Sequence, residues 1–302
     1  METAYHIPAL LTETINGLDI RPDGTYIDLT FGGGGHSRAI LNKLSGKGRL
    51  FSFDQDIDAY HNILQDPHNP FISDSRWHFI HGNFRYLSQF ADYYGITRAD
   101  GILADLGVSF HHFDTAERGF SFRFDGALDM RMNRNGGKTA ADIVNTYSED
   151  ELASILYTYG EIKSSKALAR RICAQRQRQP IERTEQLAQI AGDDKKLLTL
   201  VFQALRIEVN DELGALRTML LSATELLVSK GRIAVLTYHS LEDRIVKNFL
   251  RSGNIEGKIE KDFYGNPLTP FVLIEKGLTA SADEVERNPR SRSAKLRIAE
   301  KK

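Results

Sequence analysis

Thr25-Tyr26-Ile27-Asp28-Leu29-Thr30-Phe31-Gly32-Gly33-Gly34-Gly35-His36-Ser37 is the stretch on which the fold turns. Its first seven residues read as a β-strand, and Ala39, Ile40, Leu41 and Leu44 mark a helix after the glycines. Glycine has no side chain to hinder a sharp turn or the close approach of a ligand. A plain strand-to-helix turn needs one or two glycines, so four in a row point to a ligand at the carboxyl end of the strand. The dinucleotide fingerprint G-x-G-x-x-G/A is not met, because Gly32-x-Gly34-x-x-Ser37 has serine at its third position.

Outward from the loop, residues 49–54 form a second strand, 57–64 a helix, 77–81 a third strand and 101–106 a fourth, apolar enough for burial on both faces. Strands separated by helices imply right-handed crossovers and a parallel sheet. The alternation stops from about Phe110 to Asn210, where no buried strand is expected. Ser148 with Glu151 is a capping box opening one helix, and others are expected over 164–178, 184–191 and 195–227. The last carries Leu198, Val201, Leu205 and Val209 at helical spacing. Strands return at 232–238 and, more weakly, at 271–275 and 294–299. The expectation is an α/β fold whose sheet domain, residues 1–109 and 211–302, is interrupted by a helical insertion, residues 110–210.

The 302 residues are 41% hydrophobic and 26% charged, the balance of a soluble globular chain. A single cysteine, Cys173, excludes an internal disulfide and fits a reducing compartment. Residues 1–11 resemble neither a secretory signal nor an anchor, and no apolar run of about 18 residues follows. A cytoplasmic protein with no membrane partner is expected. The net charge of −1 leaves nucleic-acid binding to local patches. Three basic groups stand out: Lys163, Lys166, Arg170, Arg171, Arg176 and Arg178; Arg287, Arg290, Arg292, Lys295 and Arg297; and Arg118, Arg123, Arg131 and Arg134. Phe113, Phe120, Phe122 and Phe124 could stack on a splayed base, although packing is the favoured role for most of them.

Asp54 closes the second strand about 20 residues past the loop, where an acidic side chain accepts from ribose hydroxyls. Asp105 closes the fourth strand, beside the expected reversal of strand order. A carboxylate ending an apolar strand is costly unless paired, so a reacting group is expected there. Ser240 with Asp243 looks like a helix cap, and His239 and Arg244 lie at the same end of the sheet. His111-His112-x-Asp114 lacks a second ligand cluster, so no metal is expected.

From Asp28 to Ser37 the sequence resembles the cofactor loop of the MraW/RsmH family, bacterial methyltransferases acting on the N4 amine of a cytidine in small-subunit ribosomal RNA. The likeness continues, in order, through Asp105-Leu106-Gly107-Val108-Ser109, Arg118-Gly119-Phe120-Ser121-Phe122 and Leu128-Asp129-Met130-Arg131-Met132. It extends through the run from Phe202 to Asn210, His239 to Arg244, and Ser291 to Arg297, with His6-Ile7-Pro8-Ala9-Leu10 near the start. The resemblance implies a Rossmann-like S-adenosylmethionine-dependent methyltransferase sheet with an inserted helical, substrate-recognising domain. It implies cofactor contacts at Gly34, Gly35, His36, Asp54, Phe84, Asp105 and His112, and a partner in 16S ribosomal RNA within the small subunit. His112 stands where the family commonly has glutamine. No Pro-Pro pair occurs in the chain, so the Asp/Asn-Pro-Pro-aromatic loop of many amine methylases is missing and Asp105 is the candidate catalytic residue. Taken without the resemblance, the loop and Asp54 also admit a NAD-dependent dehydrogenase. A non-catalytic RNA-binding or assembly protein on this scaffold, and a DNA cytosine methylase, stay open as well.

Overall fold

The computed structural model describes residues 8–66, 69–107 and 115–302. In chain order the elements begin with α1 (Leu11–Gly17), β1 (Thr25–Asp28), α2 (Gly35–Leu41), β2 (Arg49–Asp54), α3 (Ile57–Leu64), α4 (Pro70–Ser73), β3 (Trp77–His81), α5 (Leu87–Tyr94) and β4 (Ala99–Asp105). Helices α6 (Ala140–Thr146), α7 (Glu149–Thr158), α8 (Ser165–Arg176), α9 (Thr184–Ala191) and α10 (Lys195–Asn210) follow. The chain continues with α11 (Glu212–Leu226), β5 (Leu227–Thr237), α12 (Ser240–Ser252), β6 (Phe271–Thr279), α13 (Ala282–Arg287) and β7 (Lys295–Lys301). Residues 1–107 with 213–302 form one compact unit and residues 108–212 a second.

The first unit is built on a sheet of order β3-β2-β1-β4-β5-β7-β6. Strands β1 to β5 run parallel, while β7 is antiparallel to both β5 and β6. The order reverses between β1 and β4, the place where open α/β sheets bind ligands outside their carboxyl ends. Alternate residues divide between the faces, as a strand's two-residue period requires. Ile27, Phe51, Ile102 and Ile233 pack with Leu87 of α5, Leu216 of α11 and Val246 of α12. Tyr26, Leu50, Leu103 and Ala234 pack with Ile15 of α1, Ile40 of α2 and Ile63 of α3. Both faces are covered, hence the nearly continuous apolar character of these strands.

The second unit has its own core, in which Phe120, Leu128 and Met130 meet Leu152, Leu168, Leu187 and Leu205. Ser148 and Glu151 form the expected capping box of α7. The single helix expected over 195–227 is instead two. Asp211, at φ 44, breaks it, while the Asn210 side chain accepts from Met132 N–H (2.8 Å) and donates to the carbonyls of Met130 and Arg206 (2.8 and 2.9 Å). The contacts with Met130 and Met132 come from far along the chain and override the local helical pattern. β5 starts earlier than expected because Ala99 pairs with Leu227 across a register shift before Gly101 pairs with Arg232. No helix among the described residues is long and apolar enough to cross a membrane.

Candidate active site

β1 ends at Asp28, but the backbone stays tied to its neighbours: Leu29 N–H donates to Leu103 O (2.9 Å) and Phe31 N–H to Phe53 O (2.7 Å). The turn then closes with Gly34 N–H on Phe31 O (2.7 Å). Gly34 has φ 75, and a Cβ there would lie 2.7 Å from Phe31 Cζ and 3.0 Å from Phe71 Cε2. Phe31 cannot retreat, because its ring centroid lies 5.3 Å from that of Phe71 and 5.6 Å from those of Trp77 and Phe79. The glycine is required twice over, by handedness and by space.

Beneath the loop Asp28 is fully buried. It accepts from Ser37 Oγ at 2.6 Å and Thr30 N–H at 3.1 Å, and Ser37 Oγ lies 2.7 Å from Ser52 Oγ, which accepts from Trp77 Nε1–H at 3.0 Å. Ser37 gives its one proton to the carboxylate, so Ser52 must donate to Ser37. Burial pushes the Asp28 carboxyl up to about 7 against the pull of Ser37 and Thr30. The serine that spoils the dinucleotide fingerprint thus has a partner that glycine could not serve.

Asp54, ending β2, holds the loop from the other side. Its Oδ2 accepts from Gly32 N–H at 2.8 Å and its Oδ1 from Asp56 N–H at 2.9 Å. After β3, Asn83 donates from Nδ2 to Gln55 Oε1 (2.8 Å) and opens the short turn Phe84–Tyr86. Phe84 is partly buried against the core.

Asp105 ends β4, its N–H donating to Thr30 Oγ1 at 2.7 Å. Oδ1 accepts from the Tyr238 hydroxyl at 2.7 Å, and Oδ2 lies 3.5 Å from Nδ1 of the buried His36. Burial pushes this carboxyl up to about 7; the Tyr238 hydrogen bond opposes the rise and the Glu242 charge adds to it. The fold therefore brings His36 to Asp105 and the glycine loop to Asp54. His112, with the His111-His112-x-Asp114 run and Phe113, lies outside the described residues.

The cap of α12 differs from expectation. His239, at φ −138 and ψ 163, is the capping residue, with Nδ1 accepting from Glu242 N–H at 3.5 Å, and Ser240 is already helical. Glu242 Oε2 accepts from Tyr238 N–H at 3.0 Å. Asp243 does not close a capping box but meets Arg297 Nε (2.7 Å) and Lys295 Nζ (3.3 Å), which hold its carboxyl below the usual range despite burial. Arg244 is exposed on the first turn.

Several arginines of the three basic groups are structural, which corrects the sequence reading. Arg297 is buried on Asp243. Arg176 Nη1 donates to the carbonyls of Val144 (2.8 Å) and Tyr147 (2.6 Å), and buried Arg118 donates to those of Arg131 and Met132. Arg131 is paired with Asp129. Lys163, Lys166, Arg170, Arg171 and Arg178 are exposed, as are Arg123, Arg134, Arg287, Arg290 and Arg292. Phe120 is buried and Phe122 packs edge-on to Phe202, whereas Phe124 is exposed. Sequence reasoning gave no role to Asp28 or Tyr238. A carboxylate inside an apolar strand was the one available sign of the first; nothing local marked the second.

The model of the MraW methylase family matches residues 3–302. A protein of Bacteroides thetaiotaomicron named ribosomal RNA small subunit methyltransferase H is 57% identical, across 100% of this chain and 99% of its own. Proteins of the same name from Porphyromonas gingivalis and Azobacteroides pseudotrichonymphae are 54% and 52% identical, covering 99% and 98% of this chain and 98% and 97% of theirs. Likeness of this extent covers both units and every strand of the sheet, and the chain belongs to the MraW methylase family.

Proposed function

We propose that the chain transfers a methyl group from S-adenosylmethionine to the N4 amine of a cytidine in 16S ribosomal RNA, within the small ribosomal subunit. One observation carries the reading: at the reversal of strand order, a close-approach glycine loop meets a half-buried carboxylate whose ionisation is pushed up to about 7. The residues present fit the cofactor. Gly34, Gly35 and His36 line its approach, Asp54 stands at the end of β2 where a ribose diol is held, and Phe84 adds an apolar wall beyond β3. Asp105 completes the set among the described residues, and a contact from His112 rests on the family resemblance alone. Bound there, S-adenosylmethionine supplies an electrophilic methyl group.

The cytosine amine is a weak nucleophile because its lone pair is delocalised into the ring. Asp105 offers an acceptor that holds an amine hydrogen while the nitrogen pyramidalises, and the fixed β4 end orients it. The base must leave its stack to reach this edge. The second unit recognises the RNA through the exposed cations Lys163, Lys166, Arg170, Arg171 and Arg178, by contact with phosphates.

The test incubates the protein with labelled S-adenosylmethionine and, in parallel, assembled small subunits, naked ribosomal RNA and DNA, followed by nucleoside analysis. N4-methylcytidine is expected in the ribosomal material, and its absence there refutes the reading. Calorimetry showing micromolar binding of NAD but none of S-adenosylhomocysteine would instead identify a dehydrogenase.

A further inference from the structure

Tyr238 follows the last residue of β5 and is gripped at three points. Its N–H donates to Glu242 Oε2 at 3.0 Å, and its hydroxyl donates to Asp105 Oδ1 at 2.7 Å. Against its ring lies Gly107, at φ 131, where a Cβ would approach Tyr238 Cδ2 to 3.1 Å. The chain leaving β4 thus passes the ring without a side chain, in a conformation that favours glycine. Desolvation and the neighbouring Asp105 push the Tyr238 hydroxyl well above its ordinary 10.0, so it stays a donor across the working pH range.

We propose that Tyr238 is a positioning residue for methyl transfer: by occupying Oδ1 of Asp105 it leaves Oδ2, on the His36 side, as the oxygen that meets the substrate amine. This rests on the reading of Asp105 as the group facing that amine. As the nitrogen lone pair forms the bond to the methyl carbon, the carbon–sulfur electrons leave with sulfur and the amine sheds one proton. Oδ2 takes that proton and passes it to water, so the carboxylate ends as it began. A hydrogen bond to the charged form of a buried carboxylate also favours ionisation, so Tyr238 holds Asp105 available as a base near neutrality. Among the described residues, the other titratable groups facing it are His36 from α2 and Glu242 from α12, with Asp28 farther off on β1.

The experiment compares wild type with Tyr238→Phe, which keeps the ring and its packing. Aspartate carboxyl carbons are labelled with carbon-13, and Asp105→Asn identifies the Asp105 resonance. In Tyr238→Phe the Asp105 titration midpoint should rise by about one pH unit, and the acid limb of kcat should move with it. Turnover at pH 7 should fall about fivefold and recover above about pH 9, while KM for the RNA and calorimetric affinity for S-adenosylhomocysteine stay within about twofold. An unmoved midpoint and limb, with Asp105→Asn inactive, would overturn the role of Tyr238 alone. A drop of tenfold or more in S-adenosylhomocysteine affinity would do the same, because it marks a merely structural role. Wild-type turnover by Asp105→Asn would overturn the underlying reading of Asp105 itself.

Discussion

Replacing Asp28 by asparagine isolates what it costs to keep a carboxylate under the glycine loop. Asp28 is fully buried and its carboxyl is pushed from an ordinary 3.8 up to about 7. In the unfolded chain the group ionises near 3.8, so between the two values unfolding releases a proton. Its contribution to stability is complete at acid pH and is lost as the pH rises through about 7. From pH 5 to pH 8 the loss is roughly 2.5 kcal/mol, the slope being about 1.4 kcal/mol per pH unit until the folded group itself ionises. Asparagine mimics the protonated acid: its carbonyl accepts from Thr30 N–H and its amide donates to Ser37 Oγ, which turns its proton toward Ser52. The gap in stability between variant and wild type should therefore widen in the variant's favour by about 2–3 kcal/mol from pH 5 to pH 8. Urea titrations at both pH values, followed by the fluorescence of Trp77, read this directly, since the chain has one tryptophan and it donates to Ser52 in the same network. Titrating groups remote from Asp28 are common to both proteins and drop out of the difference, whereas Asp105 and Asp54, whose charges help to raise Asp28, titrate together with it. Parallel pH profiles for the two proteins would refute a raised Asp28.

Gly34→Ala places a Cβ 2.7 Å from Phe31 Cζ in a left-handed conformation, and S-adenosylhomocysteine affinity should fall about tenfold or more by calorimetry; wild-type affinity would show the loop is not so constrained. Arg176→Ala removes both bonds to the carbonyls at the end of α6 and should lower stability by about 1–3 kcal/mol in urea. Arg170→Ala/Arg171→Ala should leave stability within about 0.5 kcal/mol while reducing the slope of log affinity for RNA against log salt by about 2; an unchanged slope means that these side chains do not touch phosphate. Asp243→Ala leaves the buried Arg297 guanidinium without its carboxylate and should cost roughly 2–3 kcal/mol, read as a lower urea midpoint at unchanged slope.

Much of this architecture is legible in the sequence because local and long-range preferences agree. The limits of β2, α3, β3 and α9 coincide with the sequence reading, each bounded by residues that stop its period. The reading fails where a distant contact decides. Nothing between Lys195 and Leu227 announces that Asn210 will bind the backbone of Met130 and Met132 and end a helix there. Nor does sequence distinguish an arginine buried on Asp243 or on main-chain carbonyls from one facing water, so the basic groups shrink once contacts are seen. At the site, Asp54 and Asp105 stand out because each closes a strand. Tyr238 meets Asp105 across 133 positions of sequence, and no spacing rule reaches that far.

The pairing of β4 with β5 sets Asp105 beside Leu236, across the whole excursion of residues 108–212. In polymer terms this ladder closes a very long loop, and closure entropy grows only with the logarithm of loop length. Halving or doubling the excursion would change the sheet's stability by only about 0.6 kcal/mol. The catalytic sheet is therefore nearly indifferent to the size of what is threaded between its fourth and fifth strands. By this measure that stretch can lengthen or shorten at little cost to the pairing that places Asp105 beside Leu236.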